Sequence, residues 1–295
     1  MKRIVFFSAA LILTGFVALT GCFQAAGRGG DGFAANRQIS VVSREDGSGT
    51  RTAFVEITGV QVTADGSTRD MTTIDAEIAP STSAVITTVA GNPYAIGYIS
   101  LGSLGDTVRA LSVDGVVPTV ANVQNGAYSL FRTFYLAVPF ETNEIVDEFL
   151  RFVLSSEGQE IAERGYVPAD SSAEPFTPGS SELSGSLVIS GSTSVLRLMG
   201  WLEEAFEDIH PGVNVEVHAG GTTAGINAAI SGTADIGMSS RELRPTELES
   251  LNGVSIAHDG LAVIVNNENP LADLTISEIR DIFKGDIVRW DEVIE

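Results

Sequence analysis

Three short turns rich in glycine, serine and threonine constrain this chain most: Arg44-Glu45-Asp46-Gly47-Ser48-Gly49-Thr50, Gly191-Ser192-Thr193-Ser194-Val195 and Gly220-Gly221-Thr222-Thr223-Ala224-Gly225. Each follows a β-like run and precedes a helix-like pattern. A strand–turn–helix unit of this kind aims backbone N–H groups and small hydroxyls at the space above a helix N-terminus, where unpaired amides and the helix dipole favour an anion. Several such units in one chain imply an α/β fold with its ligand at the carboxyl ends of the strands.

The neighbouring segments fit that scheme. Ile39–Ser43 reads as a strand and runs through the first turn into a helix from about Thr50 that carries Phe54 and Ile57. Tyr94–Ser100 is a second strand, Asp114-Gly115 a turn, and Thr133–Val138 a third strand, long enough in context to cross between lobes. From Glu144 to Leu154 the apolar residues Ile145, Phe149, Phe152 and Val153 fall at helical spacing, which predicts a core-facing amphipathic helix. Beyond a Ser/Pro/Gly/Glu-rich stretch, Ser186–Ile189 leads into the second turn. A helix with Leu198, Trp201, Leu202, Ala205, Phe206 and Ile209 follows and ends at His210-Pro211-Gly212. Val213–Val217 and Asp235–Met238 are further strands, with a short helix at Ile226–Ile230 between them.

With 295 residues, 44% of them hydrophobic, the chain can build one two-lobed domain or two small ones, each with a real core. Its formal charge of −21 makes nucleic acid a poor partner. The same charge opposes long-range anion capture, so an anion site here must act through fixed local dipoles and one or two placed cations. At the start, Met1-Lys2-Arg3, an apolar run Ile4–Leu19 and Leu19-Thr20-Gly21-Cys22 form a basic, an apolar and a small-residue region in the order of a lipoprotein signal peptide, with Cys22 as the lipidated residue. The apolar run is shorter than the roughly 20 residues of a membrane span. Cys22 is the single cysteine, so no disulfide within the chain is possible. The expected organisation is a signal peptide over 1–22, a tether over 23–38, a segment 39–168, a linker 169–183 and a segment 184–295.

A tetrahedral oxyanion asks for several converging donors and one arginine for a charge-assisted contact. The turns offer Thr193, Ser194, Thr222, Ser240, Ser48, Gly49 and Thr50, with Arg44 as the cation. Charge-assisted hydrogen bonds are worth about 1.5–3 kcal/mol each, so such a set supports tight binding after association costs, without metal or cofactor. Asp46 reads either as orienting Arg44 or as facing the ligand and accepting a proton from it, and Arg241 reads either as a second supporting cation or as a surface ion-pair partner of Glu242 or Asp46.

Val41-Val42-Ser43-Arg44-Glu45-Asp46-Gly47-Ser48-Gly49-Thr50, the Gly191–Val195 turn and Ala234-Asp235-Ile236-Gly237-Met238-Ser239-Ser240-Arg241-Glu242-Leu243 resemble the PstS family of phosphate-binding proteins of ABC transporters. Ala95-Ile96-Gly97-Tyr98, Asp114–Thr119 and Ser156-Glu157-Gly158-Gln159 add to the likeness. The resemblance implies a type II periplasmic-binding-protein fold: two α/β lobes, each a mixed sheet flanked by helices, two crossovers, and phosphate in the cleft. It implies phosphate contacts from Thr193, Ser194, Thr222, Ser240, Arg44, Ser48, Gly49 and Thr50, with Asp46 holding Arg44. Its implied partners are inorganic phosphate, a membrane permease, and the membrane through lipid on Cys22, on the extracytoplasmic side. Ser240 departs from the pattern, standing where some members carry an Asp that accepts a proton-borne hydrogen bond from phosphate. Thr222-Thr223 replaces a usual Ser/Gly pair, and Arg197 stands near a common Pro.

The order of the turns also departs from the family. There the Gly-Ser-Thr-Ser turn comes first and the Arg-Glu-Asp-Gly-Ser-Gly-Thr turn mid-chain; here they are reversed. Segment 184–295 resembles the family's first half and 39–168 its second. Two accounts fit: a circular permutant with the old ends joined through 169–183, or a truncated tandem whose halves pair within or between chains. Other functions compatible with the turns are capture of another oxyanion, a non-transport phosphate sensor, and a serine hydrolase using Ser48 or Ser194. The hydrolase needs a positioned base. Of the candidates, His210 reads as exposed beside its proline, and His218 and His258 fall in strand-like runs.

Overall fold

The computed structural model describes residues 33–179 and 183–294. In chain order the first segment contributes β1 (Ser40–Arg44), α1 (Gly49–Thr58), a hairpin of β2 (Gln61–Ala64) and β3 (Ser67–Asp70), β4 (Glu77–Ala79), α2 (Thr82–Gly91) and β5 (Ala95–Ser100). It continues through β6 (Val108–Ala110), β7 (Ser112–Val113), α3 (Val120–Gln124), β8 (Phe131–Pro139), α4 (Glu144–Val153), α5 (Ser156–Ala162) and β9 (Val167–Pro168). The second segment adds β10 (Ser184–Gly191), α6 (Leu196–Ile209), β11 (Gly212–Ala219), α7 (Thr222–Ser231), β12 (Ile236–Ser239), β13 (Leu251–Asn266), β14 (Asp273–Leu274) and α8 (Ile276–Lys284).

The main sheet runs β11-β10-β12-β8-β13-β5-β1-β4 and divides into two lobes. In lobe I, β10 pairs in parallel with β11 and β12; in lobe II, β1 pairs in parallel with β4 and β5. Parallel strands require crossover helices, and both sheets are covered on their faces. That is why β1 is apolar and buried through Val41 and Val42 rather than alternating. Two long strands connect the lobes. β13, 16 residues and about 50 Å at strand rise, pairs with β8 through Gly260 and then with β5 from Leu261, shifting register between Ser255 and Ala257. β8 is the crossing expected at Thr133–Val138; β13 is the second.

Each lobe has its own core. Phe134, Phe149, Phe152, Leu187, Leu198, Leu202, Phe206 and Met238 pack lobe I, and Val41, Phe54, Tyr98, Val263, Ile279, Phe283 and Trp290 pack lobe II. Both lobes draw on both segments: α4 and α5 lie on lobe I with α6, while α8 lies beside α1 on lobe II.

Two connecting stretches differ from expectation. Residues 33–38, read as tether, dock on lobe II: the Phe33 ring lies 5.0 Å from that of Tyr94 and 5.9 Å from that of Trp290, and Gln38 bridges to Arg289. Aromatic burial outweighs the Gly-rich, polar composition that suggested a free segment. The described part of the 169–183 linker is likewise fastened, with Ser156 N–H donating to Glu174 O, Phe176 N–H to Glu157 Oε2 and Gly179 N–H to Glu148 Oε1 at 2.7–2.9 Å. The expected signal segment and Cys22 lie outside the described residues. Among the described residues no helix is long and apolar enough to cross a membrane.

Candidate anion-binding site

Four strand–turn–helix units meet between the lobes, at the carboxyl ends of β1, β4, β10 and β11. Arg44 closes β1 and is 2% exposed. Its backbone N–H donates to Tyr98 Oη (3.2 Å), which also meets Ser43 Oγ at 2.9 Å. Burial, only partly offset by those bonds and the nearby arginines, pushes Tyr98 up to about 12, so this anchor stays neutral. The guanidinium has two occupied edges. Nε and Nη2 donate to Glu45 Oε2 and Oε1, both at 2.8 Å, while Nη2 also donates to Thr193 Oγ1 (3.1 Å) and Nη1 to Thr82 Oγ1 (3.4 Å).

Around that cation the hydroxyls form a continuous chain across the cleft. Thr50 Oγ1 meets Ser194 Oγ at 2.8 Å, and Thr82 Oγ1 meets Ser194 Oγ at 3.2 Å and Thr193 Oγ1 at 3.1 Å. Thr82 N–H donates to Thr193 Oγ1 as well. On the opposite side Ser192 Oγ donates to Ser240 Oγ (2.9 Å), and Ser240 N–H donates to Thr222 Oγ1 (3.2 Å). Ser48 caps α1 by accepting from Arg51 N–H. At Gly49 the lobes approach closely: a Cβ there would stand 2.5 Å from Thr222 Oγ1 and 2.6 Å from Ser240 Oγ. Gly47, Gly191 and Gly221, one in each turn, have φ of +85°, +149° and +90°, values that disfavour any side chain.

Charge follows the same design. The helices that start at the cleft, α1, α2, α6 and α7, have no acidic residue in their first turns, whereas α4, α5 and α8 each do. In so acidic a chain, that pattern keeps these helices' own carboxylates off the dipoles aimed at the cleft; Glu45, paired with Arg44, is the carboxylate that lies beside Gly221 at the start of α7. Among the described residues no group of three or more His, Cys, Asp or Glu side chains is placed to hold a metal.

Of the donors expected from the sequence, Arg44, Thr50, Thr193 and Ser194 join one hydrogen-bonded group and Thr222 and Ser240 another, Gly49 stands against Thr222 and Ser240, and the Ser48 hydroxyl is engaged as the cap of α1. Two supporting roles are corrected. Asp46 does not hold Arg44; it is turned to solvent and pairs with Arg51 at 3.0 Å, because Glu45, one residue nearer, occupies the guanidinium edge. Arg241 is neither a surface residue nor a cleft cation. It is 5% exposed and grips Glu247 through Nη1 and Nη2 at 2.8 Å. Burial alone would raise the Glu247 carboxyl, but hydrogen bonds from Arg241 and from Arg244 N–H, with the charges of both arginines, hold it below the ordinary range. Nor is His210 exposed: it is 2% exposed beneath Phe206 and faces Glu148. His258 meets Thr133 and His218 meets Glu216, so the observed partners of Ser48 and Ser194 include no histidine. Thr82 is the residue that sequence reasoning passed over. Its signal was Pro80-Ser81-Thr82-Ser83 ahead of the apolar α2, a serine-capped helix start without a glycine.

Comparison with known proteins follows the same lines. A family model described as a PBP superfamily domain matches residues 24–157 and 177–294. Phosphate-binding protein PstS 2 of Streptococcus pneumoniae is 41% identical over 292 residues, 97% of each chain. The crystal structure of a phosphate ABC transporter phosphate-binding protein from S. pneumoniae TIGR4 superposes with a TM-score of 0.68 at 41% identity, covering 87% of this chain and all of that one. Phosphate-binding protein PstS of Bacillus subtilis is 33% identical over 138 residues, which is 45% of this chain and 42% of that protein.

Proposed function

Because this chain belongs to the PstS family of phosphate-binding proteins, within the PBP superfamily, we propose that it captures inorganic phosphate between its lobes and delivers it to the permease of an ABC transporter. It is a binding protein, not an enzyme. The observation that carries the reading is the buried Arg44 guanidinium donating to Thr82 and Thr193, hydroxyls of the two lobes that continue through Ser194 to Thr50. Hydroxyls and amides surround a tetrahedral anion with donors, and hydroxyls can also accept from a protonated phosphate oxygen. Admitting phosphate exchanges neutral hydroxyl–hydroxyl bonds for charge-assisted ones, roughly twice as strong. Closure of the lobes about β8 and β13 is then a hinge motion.

The working location is extracytoplasmic, with lipid on Cys22 as the anchor. The reversed order of the turns is a circular permutation. Two observations support this. Residues 37–39 hydrogen-bond to residues 288–290, with Ile39 N–H donating to Val288 O (2.8 Å) and Trp290 N–H to Arg37 O (3.2 Å), so the joint that the usual order needs is already a contact. The B. subtilis match also covers slightly less than half of each chain, as an order-preserving alignment of permuted sequences would.

Equilibrium binding of labelled phosphate, with sulfate as competitor, tests the reading. Saturable binding of one phosphate per chain is expected. Failure of phosphate to bind, or its displacement by equimolar sulfate, would overturn phosphate as the ligand. Ser240, in the position of an acceptor Asp, makes the sulfate arm the informative one.

A further inference from the structure

Arg197 is the residue of the second turn region that the site does not use, and its placement is costly. It is the second residue of α6, where the helix dipole disfavours a cation. It is exposed, and among the described residues no carboxylate lies within ion-pair distance of it, although the chain carries 38 acidic residues. Its side chain is nevertheless fixed: Nη1 donates to Gly102 O of the opposite lobe at 2.6 Å, and the guanidinium lies over the Trp201 ring, 5.6 Å from its centroid. The lining of a 470 Å³ interlobe cavity includes Arg197 together with Thr82 and Thr193, which contact Arg44 at its inner end. An uncompensated positive charge therefore stands over the mouth of the cleft, held from both lobes, in a molecule whose net field repels anions.

We propose that Arg197 is the entry cation of the cleft: it draws the tetrahedral oxyanion to the cavity beside Thr82 and Thr193, from where the anion passes to Arg44. This rests on phosphate as the ligand. Fixed charges at a narrow, low-dielectric mouth raise association rates by about 10-fold to 1,000-fold, an effect that salt removes as the Debye length falls. Among the described residues the guanidinium contacts no donor of the inner site, so the effect of its charge is read in association.

The test is stopped-flow association of phosphate with the wild-type chain, Arg197→Gln and Arg197→Lys, at about 0.01 M and about 1 M ionic strength. Arg197→Gln should associate about tenfold more slowly at low salt, with the difference vanishing at high salt. Arg197→Lys, which keeps the charge, should stay within about twofold of wild type. Equal low-salt rates for wild type and Arg197→Gln, or a deficit that persists unchanged at high salt, would overturn the proposal while leaving phosphate binding intact. A wild-type chain that fails to bind phosphate would instead overturn the reading on which it rests.

Discussion

At the scale of single residues, Arg44 and the hydroxyls it touches carry the affinity. Arg44→Gln removes charge-assisted bonds worth about 1.5–3 kcal/mol each and should weaken phosphate binding at least about tenfold. It also leaves Glu45 facing the cleft unpaired. Restoring neutrality with the Arg44→Gln/Glu45→Gln pair should therefore recover melting temperature but not affinity, a separation that calorimetry and thermal melts can check. Thr82→Val keeps the shape but loses the hydroxyl that joins Arg44, Thr193 and Ser194, so it should weaken binding while Thr82→Ser does not. Equal affinities for the valine and serine variants would remove Thr82 from the site. The donors were legible because a strand–turn–helix unit announces itself in glycine, serine and threonine. The carboxylate that holds Arg44 was not, because Glu45 and Asp46 are adjacent and only backbone geometry decides which reaches back. Thr82 escaped notice for a related reason: α2 begins on a serine cap and needs no glycine with positive φ.

At the scale of elements, the close approach of α1 to the turns of lobe I sets how far the cleft can shut. Gly49→Ala places a methyl against Thr222 Oγ1 and Ser240 Oγ within 2.6 Å. Such overpacking costs about 1–3 kcal/mol when neighbours cannot yield. The variant should keep its fold, which does not depend on closure, yet bind phosphate at least about tenfold more weakly. Wild-type affinity in Gly49→Ala would show that the lobes do not close at this point. Beyond β12, the Arg241–Glu247 pair fastens the loop that presents Ser240. Its carboxylate titrates lower when folded than the ordinary value of 4.5, so the unfolded chain binds the proton more readily. The stabilisation is therefore present above that value and lost as pH falls below it. Urea unfolding of wild type and Glu247→Gln should differ at pH 7 and converge under acid; a difference constant with pH would contradict this. Elements such as β1, β5, α4 and α6 were readable from periodicity, whereas the full length of β13 was not. Gly253 and Gly260 interrupt its pattern, and its two halves serve different lobes, so no single period runs through it.

At the scale of the whole molecule, the site exists only when both segments of the chain fold together, since Arg44 and Thr50 come from one and Thr193, Ser194 and Ser240 from the other. The hydrogen bonds between residues 37–39 and 288–290 predict that a rearranged chain would fold. With 183–294 placed ahead of 33–179 through a short linker, it should bind phosphate within a few-fold of the original. A rearranged chain that is folded but binds poorly would argue against a permutation of one ancestral domain. The alternation of strands and helices disclosed the α/β plan early, and the family resemblance implied its two lobes. How the segments share each lobe was not legible, because it depends on long-range pairing of β8 and β13. The central claim is that one phosphate sits among turns of both segments, and a calorimetric titration of wild type, Arg44→Gln and Thr193→Val tests it most directly. The account predicts one phosphate per wild-type chain and an affinity lowered about tenfold or more by each substitution, one in each segment. Wild-type affinity in either variant, or no heat of binding in the unaltered protein confirmed by equilibrium dialysis, would contradict it.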